Sequence, residues 1–338
     1  MRAAVIGCGV AGRAHALTIG RYPDTTLVAC HDVHDAAAIA LSTQYGGVAC
    51  PTVAGVVAER PDIVVVATGP TTQPGVVADL LAASFRGALL CEKPLAASLG
   101  AARDLLGRAD EAGVVVGVNQ QRRFGLGAVE ARRRLGTIGD LLAIEGYAPD
   151  AALLDWGPHV VDLAVHFAAA PVRWVDAELD TSRTRRHAGL TLEYGARLRW
   201  RHDGGLPGTL TCGPDIADQP LLRLVGTAGA LELGALSDLA GRPAGHRAAL
   251  RGRIGDGEWV EIDVGESVQS SRQWLRSLDE LVTAIRDGRH PTNHGGRGLA
   301  ALEICIAGYL AARTGSPREL PLAEDVDIAT LFRPRVEA

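Results

Sequence analysis

The strongest constraint on the fold stands at the start of the chain. Ala3-Ala4-Val5-Ile6 is a short apolar run that enters Gly7-Cys8-Gly9-Val10-Ala11-Gly12, and a stretch of helical composition follows to Tyr22. Glycines at this spacing mean little alone. Placed between a strand and a helix, inside a unit of about 30 residues, they describe a turn with a purpose. Gly7 allows the tight turn, Gly9 leaves the backbone open to a pyrophosphate, and Gly12 lets the helix lie against the strand. Amides at the helix N-terminus then face the anion. Thr26-Leu27-Val28-Ala29-Cys30 reads as a second strand closed by His31-Asp32. Asp32 stands about 20 residues past the turn, where a carboxylate accepts hydrogen bonds from both hydroxyls of a ribose. A 2′-phosphate would meet that carboxylate, and no arginine follows within the next few residues. NAD is therefore favoured over NADP. A plainer reading makes Asp32 a helix N-cap.

The same alternation continues. Apolar runs recur at Gly47–Cys50, Ile63–Ala67, Ala88–Cys91 and Val114–Val118, with alanine- and leucine-rich segments of helical length between them. Strands alternating with helices imply a doubly wound parallel sheet. Unbroken apolar strands suit burial on both faces. Beyond Gly125 the pattern changes. Leu141–Tyr147, Val172–Leu179, Leu190–Arg201, Gly208–Cys212, Leu221–Val225, Ala248–Ile254 and Glu258–Val264 read as strands with short connections. His202-Asp203-Gly204-Gly205 is a hairpin signal. Such strands form a largely antiparallel sheet. Long amphipathic helices are expected at Gln269–Asp287 and Arg297–Arg313, and a sheet face left uncovered would serve self-association as a dimer or tetramer. The 338 residues suit two domains. The expected architecture is an α/β N-terminal domain with a doubly wound parallel sheet over residues 1–122, followed by an α+β C-terminal domain over residues 123–338 with a mostly antiparallel sheet.

Composition narrows the function. A net charge of −5 argues against nucleic-acid phosphates as partners. No apolar run approaches the roughly 18 residues of a membrane span. Met1 to Gly7 leaves no room for a secretory signal, so a cytoplasmic protein is expected. The six cysteines (Cys8, Cys30, Cys50, Cys91, Cys212, Cys305) form no CxxC and read as small reduced core residues, with no metal held by them. The Arg132-Arg133-Arg134 run reads as a solvated helix face.

One count is sharper. Among 34 lysines and arginines there is a single lysine, Lys93. A bias toward arginine explains the excess but not the exception. Arginine does not lose its proton in a protein, whereas lysine does. Lys93 lies in Glu92-Lys93-Pro94, directly after the strand Ala88–Cys91. Ligands of open α/β sheets bind beyond the carboxyl ends of the strands. Lys93 is thus expected on the same edge as the glycine turn, with its backbone stiffened by Pro94. Beside a cationic nicotinamide its pKa would fall by like-charge repulsion, making it a general base for a hydroxyl and a general acid for a carbonyl.

With these residues in view, the sequence resembles the glucose–fructose oxidoreductase/inositol dehydrogenase/MocA (Gfo/Idh/MocA) family. The resemblance rests on Gly7–Gly12, Asp32, the loop Ala67-Thr68-Gly69-Pro70, Glu92-Lys93-Pro94, the segment Val116–Phe124, the signature Asp155-Trp156-Gly157-Pro158-His159-Val160-Val161-Asp162, and Gly226–Glu232. It implies an α/β N-terminal Rossmann domain, a C-terminal α/β domain with a large open sheet, and NAD(P)-dependent oxidation or reduction of a sugar or cyclitol. It implies cofactor contacts from Gly7, Gly9, Val10, Ala11, Gly12, Asp32, Thr68, Gln73, Glu92, Lys93 and Asn119. It implies substrate contacts from Lys93, Arg123, Asp155 and His159, with Lys93, Asp155 and His159 catalytic. Two departures stand out: Ala148–Leu154 is shorter than the family's segment before the signature aspartate, and Gln73 stands where the family often has histidine.

The signature also reads on its own terms. Pro158 suits a first helical turn, so a helix is expected to begin near Gly157. If it reaches back to Asp155, then Asp155, His159, Asp162 and His166 share one stripe on an otherwise apolar helix. A buried polar stripe must be paired or line a site. Alternating carboxylates and imidazoles can align tautomers and pass a proton. The structural alternative is an N-cap at Asp155 with a His159–Asp162 hydrogen bond. Metal ligation by the same residues is the weaker reading.

The function expected is hydride transfer between nicotinamide and a carbinol carbon, with Lys93 moving the hydroxyl proton. A shortened loop and the acids Asp150, Asp155 and Asp162 point to a large polyol, an amino sugar or an aminocyclitol. Two rivals use the same fold: an enzyme that cleaves glycosides while cycling NAD, and a non-catalytic NAD-sensing regulator.

Overall fold

The structure, a computed structural model, describes residues 1–214, 216, 219–235, 249–267 and 270–331. Ala248 and Gln269, expected to open a strand and a helix, lie outside them. The chain forms two compact units, Met1–Gln120 with Trp274–Leu299, and Gln121–Gln273 with Ala300–Ala338. The sequence placed the boundary after residue 122 and gave all that follows to the second domain. The structure corrects this: a late segment returns to the first unit. Its apolar residues Leu278, Leu281 and Val282 are buried in the same core as Val5, Ile19, Ile63 and Leu90.

In the first unit the strands β1 (Arg2–Ile6), β2 (Thr26–His31), β3 (Val48–Ala49), β4 (Ile63–Val66), β5 (Ala88–Cys91) and β6 (Val115–Val118) form a six-stranded sheet in the order β3-β2-β1-β4-β5-β6. All pairs are parallel. The crossovers are α1 (Val10–Arg21), α2 (Asp35–Tyr45), α3 (Val53–Ala58), α4 (Gln73–Ala82) and α5 (Leu99–Glu111). Strands β4 and β5 are buried at every residue, as burial on both faces requires. The order reverses between β1 and β4, and a doubly wound sheet opens its ligand crevice at such a switch point.

The second unit begins with α6 (Leu126–Arg134) and β7 (Leu141–Pro149), followed by α7 (Leu153–Ala168), β8 (Val172–His187), β9 (Leu190–His202), β10 (Pro207–Gly213), β11 (Pro220–Gly226), β12 (Gly229–Ala235), β13 (Leu250–Ile254) and β14 (Val260–Ile262). After α8 (Arg272–Asp287), α9 (Gly295–Thr314) leads to β15 (Arg318–Glu319) and the short α10 (Ile328–Leu331). Among the described residues the sheet has nine strands in the order β14-β13-β12-β11-β7-β10-β9-β8-β15, and only β7 and β10 pair in parallel. The expected hairpin between β9 and β10 is present, with Gly204 and Gly205 at φ +83° and +88°.

Two elements differ from the sequence reading. Strand β8 runs eight residues past Leu179, to His187. It tolerates this because residues 181–183 bulge out between the pairs Asp180–Gly195 and Thr184–Glu193. Helix α7 starts at Leu153, not near Gly157, so Pro158 lies inside the helix. The earlier start is supported from the sheet: the buried Glu193 of β9 accepts the Leu153 amide through Oε1, and Tyr309 donates to its Oε2 at 2.8 Å.

Candidate active site

The glycine turn has the form its sequence demands. Gly7 sits at φ +92°, and a Cβ there would lie 2.7 Å from the Ala67 carbonyl oxygen. A Cβ on Gly12 would lie 1.9 Å from the Gly7 carbonyl oxygen. A Cβ on Gly9 would meet nothing within 4 Å, so the turn leaves open space where the first turn of α1 starts. No side chain caps α1, no acid occupies its first turn, and Val10 is 81% exposed. An uncapped helix N-terminus beside open backbone is the cradle a pyrophosphate needs. Asp32 stands at the end of β2. Its Oδ2 accepts the Cys8 amide at 2.7 Å and its Oδ1 accepts the His34 amide at 2.9 Å, so it anchors the turn rather than capping α2, whose N-cap is His34. Thr68 Oγ1, in the loop after β4, is shielded from solvent without a hydrogen-bond partner. These features fit a dinucleotide.

Lys93 follows β5 on the carboxyl edge of the same sheet, half-buried, at a cis peptide bond to Pro94. The corner is held from behind. Gln73, completely buried at the start of α4, donates through Nε2 to the carbonyls of Glu92 and Leu95, both at 2.9 Å, and accepts the Glu92 amide at 3.1 Å. Glu92 Oε1 meets His15 Nε2 at 2.8 Å and accepts from Asn119 Nδ2 at 2.7 Å. Glu92 Oε2 accepts the Lys93 amide at 3.3 Å. Ser277 in turn donates to Asn119 Oδ1 at 3.1 Å. Burial alone would push the Glu92 carboxyl up, but the His15 and Asn119 bonds and the Lys93 charge outweigh it and hold the group below the ordinary carboxylate value. Gln73 and Asn119, expected as cofactor contacts, thus have no exposed surface and serve the Lys93 corner instead.

In the second unit α7 carries the whole signature. Asp162 is paired with Arg123: Arg123 Nε donates to Asp162 Oδ2 at 2.9 Å, and Nη2 makes a second bond to Oδ1. Both side chains are buried, so Arg123, expected as a substrate contact, is engaged in fixing α7. His159 is buried and its ring lies 5.5 Å from that of Trp156. The Arg122 guanidinium lies over the Trp156 ring, 4.8 Å from its centroid, and burial lowers the Arg122 pKa to about 10. Asp155 is partly exposed and meets His187 Nε2 at 3.2 Å. Arg185 donates to the Asp150 carbonyl at 2.5 Å and lies 3.3 Å from its carboxylate. The stripe's carboxylates therefore meet side chains from neighbouring elements, Asp155 the His187 imidazole of β8 and Asp162 the Arg123 guanidinium from the segment before α6.

Sequence reasoning missed His15, Trp156, Arg122 and His187. His15 had a signal, its place on α1 one turn past Gly12. His187 had none, because its meeting with Asp155 depends on the bulged register of β8.

A doubly wound parallel sheet with a glycine turn and an uncapped helix at its switch point defines a dinucleotide-binding fold. Comparison with known proteins agrees. Residues 1–120 match the Gfo/Idh/MocA oxidoreductase family model, described as an NAD-binding Rossmann fold, and residues 135–232 match the family's C-terminal domain. The chain belongs to the Gfo/Idh/MocA family of NAD-binding oxidoreductases. It is 25% identical over 363 aligned positions to D-apiose dehydrogenase of Paraburkholderia graminis, covering 96% of this chain and 90% of that one. The aldose–aldose oxidoreductase of Caulobacter crescentus, solved with glycerol, superposes with a TM-score of 0.81 at 19% identity, over 95% of this chain and 99% of that one. GenD2 from gentamicin A biosynthesis, solved with NAD, gives 0.76 at 22% identity, over 95% and 97%. At those identities the two structures share the fold. Among the described residues no helix is long and apolar enough to cross a membrane.

Proposed function

We propose that this chain transfers a hydride between NAD and a ring hydroxyl carbon of a sugar or cyclitol. The observation that carries the reading is the chain's sole lysine, standing on a buttressed corner at the sheet edge that bears the glycine turn. The bound dinucleotide would supply the hydride acceptor or donor. Gly9 and the first turn of α1 would hold its pyrophosphate, and Asp32 its ribose hydroxyls. Lys93 takes the proton of the substrate hydroxyl in oxidation and returns it in reduction. The family resemblance adds His159 to hold the substrate oxygen and Asp155 to orient it.

Charge gives no reason to require an amino substituent. Asp150, Asp155 and Asp162 each have a cationic or ionisable partner, in Arg185, His187 and Arg123. A substrate ammonium would compete with those partners. The proposal is kept at the sugar or cyclitol hydroxyl itself.

The test is absorbance at the reduced-nicotinamide band with a panel of sugars and cyclitols, for the wild type and for Lys93→Met. Net reduction of NAD by some polyol, lowered roughly 10²–10⁴-fold in kcat/KM by the substitution, is expected. Near-normal turnover in Lys93→Met overturns the lysine role. Dinucleotide binding with no absorbance change would favour a sensor, and glycoside cleavage without net reduction an NAD-cycling hydrolase.

A further inference from the structure

The buried group behind Lys93 is more elaborate than a corner needs. The Gln73 side-chain amide already fixes the backbone carbonyls of Glu92 and Leu95. Yet the Glu92 side chain is drawn inward to an imidazole that comes from a different element, the helix α1. His15 is 2% exposed and lies on the face of α1 opposite open solvent, one turn past Gly12. Its Nε2 reaches Glu92 Oε1 at 2.8 Å. Its ring edge packs on Trp274 of α8, with centroids 4.7 Å apart and planes at 70°, which fixes the direction in which Nε2 points. Against a carboxylate, Nε2 is the donor. The other oxygen of that carboxylate takes the Lys93 amide. The path from the cradle to the Lys93 backbone amide is thus short and continuous: the first turns of α1, His15, Glu92, Lys93. A buried carboxylate with one partner removed is costly, so each link depends on the next.

We infer that His15 is a positioning residue for the reaction: its bond to Glu92 ties the helix that receives the dinucleotide to the backbone of the lysine that moves the proton. This rests on the proposed role of Lys93. His15 touches neither substrate nor cofactor in this account. Its effect is on where the Lys93 amine is held, and a small misplacement of a reacting group costs up to about 10²-fold in rate. Gln is the conservative replacement, since its amide nitrogen can donate to Glu92 from a similar position, whereas Ala leaves the carboxylate without that donor.

The single lysine makes the link observable without turnover. Protein labelled with ¹⁵N only at lysine gives one backbone amide signal, that of Lys93. In the dinucleotide-free protein, His15→Ala is expected to shift or broaden this signal, and His15→Gln to restore it. In assays, His15→Ala is expected to lower kcat by about tenfold or more with KM for the polyol little changed, and His15→Gln to recover most of it. A His15→Ala protein that melts cooperatively with an unmoved Lys93 signal and unchanged kcat overturns the inference. If His15→Ala does not fold, His15→Asn takes its place: its shorter amide falls short of Glu92, so a shifted Lys93 signal and a lowered kcat are expected, and a His15→Asn protein with wild-type signal and rate would overturn the inference. Lys93→Met run in parallel separates the two ideas. Should Lys93→Met turn over normally, the proposed function fails; should it be dead while His15→Ala is normal, only this inference fails.

Discussion

Arg123 and Asp162 form two parallel hydrogen bonds inside the second unit, with side chains 4% and 3% exposed. The pair joins the segment after the unit boundary to the middle of α7, the helix that also carries Asp155 and His159. A buried ion pair of this geometry contributes little net stability compared with apolar residues of equal size, but losing one partner strands a charge.

Asp162→Asn should therefore destabilise the protein by about 3–5 kcal/mol, and Arg123→Met by a similar amount. The double variant Arg123→Met with Asp162→Asn should be clearly less damaged than the sum of the two. Urea melts of the four proteins measure this coupling. Additive losses would show that the pair is not the unit that fixes α7.

Asp32 has two functions in one carboxylate, holding the Cys8 and His34 amides and presenting acceptors at the end of β2. Asp32→Ser should weaken NAD binding by about tenfold, roughly 1.4 kcal/mol. It should weaken NADP binding less, because the charge that repels a 2′-phosphate is gone. Titration calorimetry with both dinucleotides gives the ratio. An unchanged ratio would remove Asp32 from cofactor choice.

Two buried glutamates predict opposite pH effects. Burial pushes the Glu193 carboxyl up, against the Leu153 amide and the Tyr309 hydroxyl that favour its charged form. A raised native value gives stability that is full below the ordinary carboxylate range and is lost as pH rises through the native value. Glu92 is held low, so its contribution is present above that range and is lost as pH falls through its native value. Glu193→Gln should flatten the loss of stability on the alkaline side of the carboxylate range, and Glu92→Gln the loss on the acid side. Denaturant midpoints across pH separate them; identical profiles for both variants would refute the assignment.

Much of the first unit was legible because its signals are local. The strand Ala88–Cys91 is found where its unbroken apolar run put it, and Gly7 and Gly12 are required by contacts within a few residues or to the adjacent strand. The late return of Trp274–Leu299 was not legible, since no feature of an amphipathic helix says which core receives it. The start of α7 was misread for a similar reason. Pro158 is a strong local signal for a first turn, but the Leu153 amide finds its acceptor in Glu193, forty residues along the chain. At the site, residue types were readable and partners were not. Asp155 and Asp162 meet His187 and Arg123 because of register and helix placement, and those follow from tertiary packing.

The tip of the β8–β9 hairpin offers a test that isolates register. Strand β8 ends at His187, which pairs with Leu190, leaving Ala188 and Gly189 as a two-residue turn. Both have positive φ, +48° and +83°, as a type I′ turn requires. Alanine in the left-handed region carries a steric cost of about 1–2 kcal/mol, which asparagine largely avoids. Ala188 is exposed, so nothing else is lost on replacement. Ala188→Asn should raise stability by about 0.5–1 kcal/mol. It should also stiffen the arm that carries His187 to Asp155 and Arg185 to Asp150, and so slow amide exchange along residues 184–187. Ala188→Val, β-branched and intolerant of positive φ, should do the reverse. If both variants melt like the wild type and exchange at the same rates, the turn does not set the register of this hairpin, and the placement of His187 must be fixed by the bulge at residues 181–183 alone.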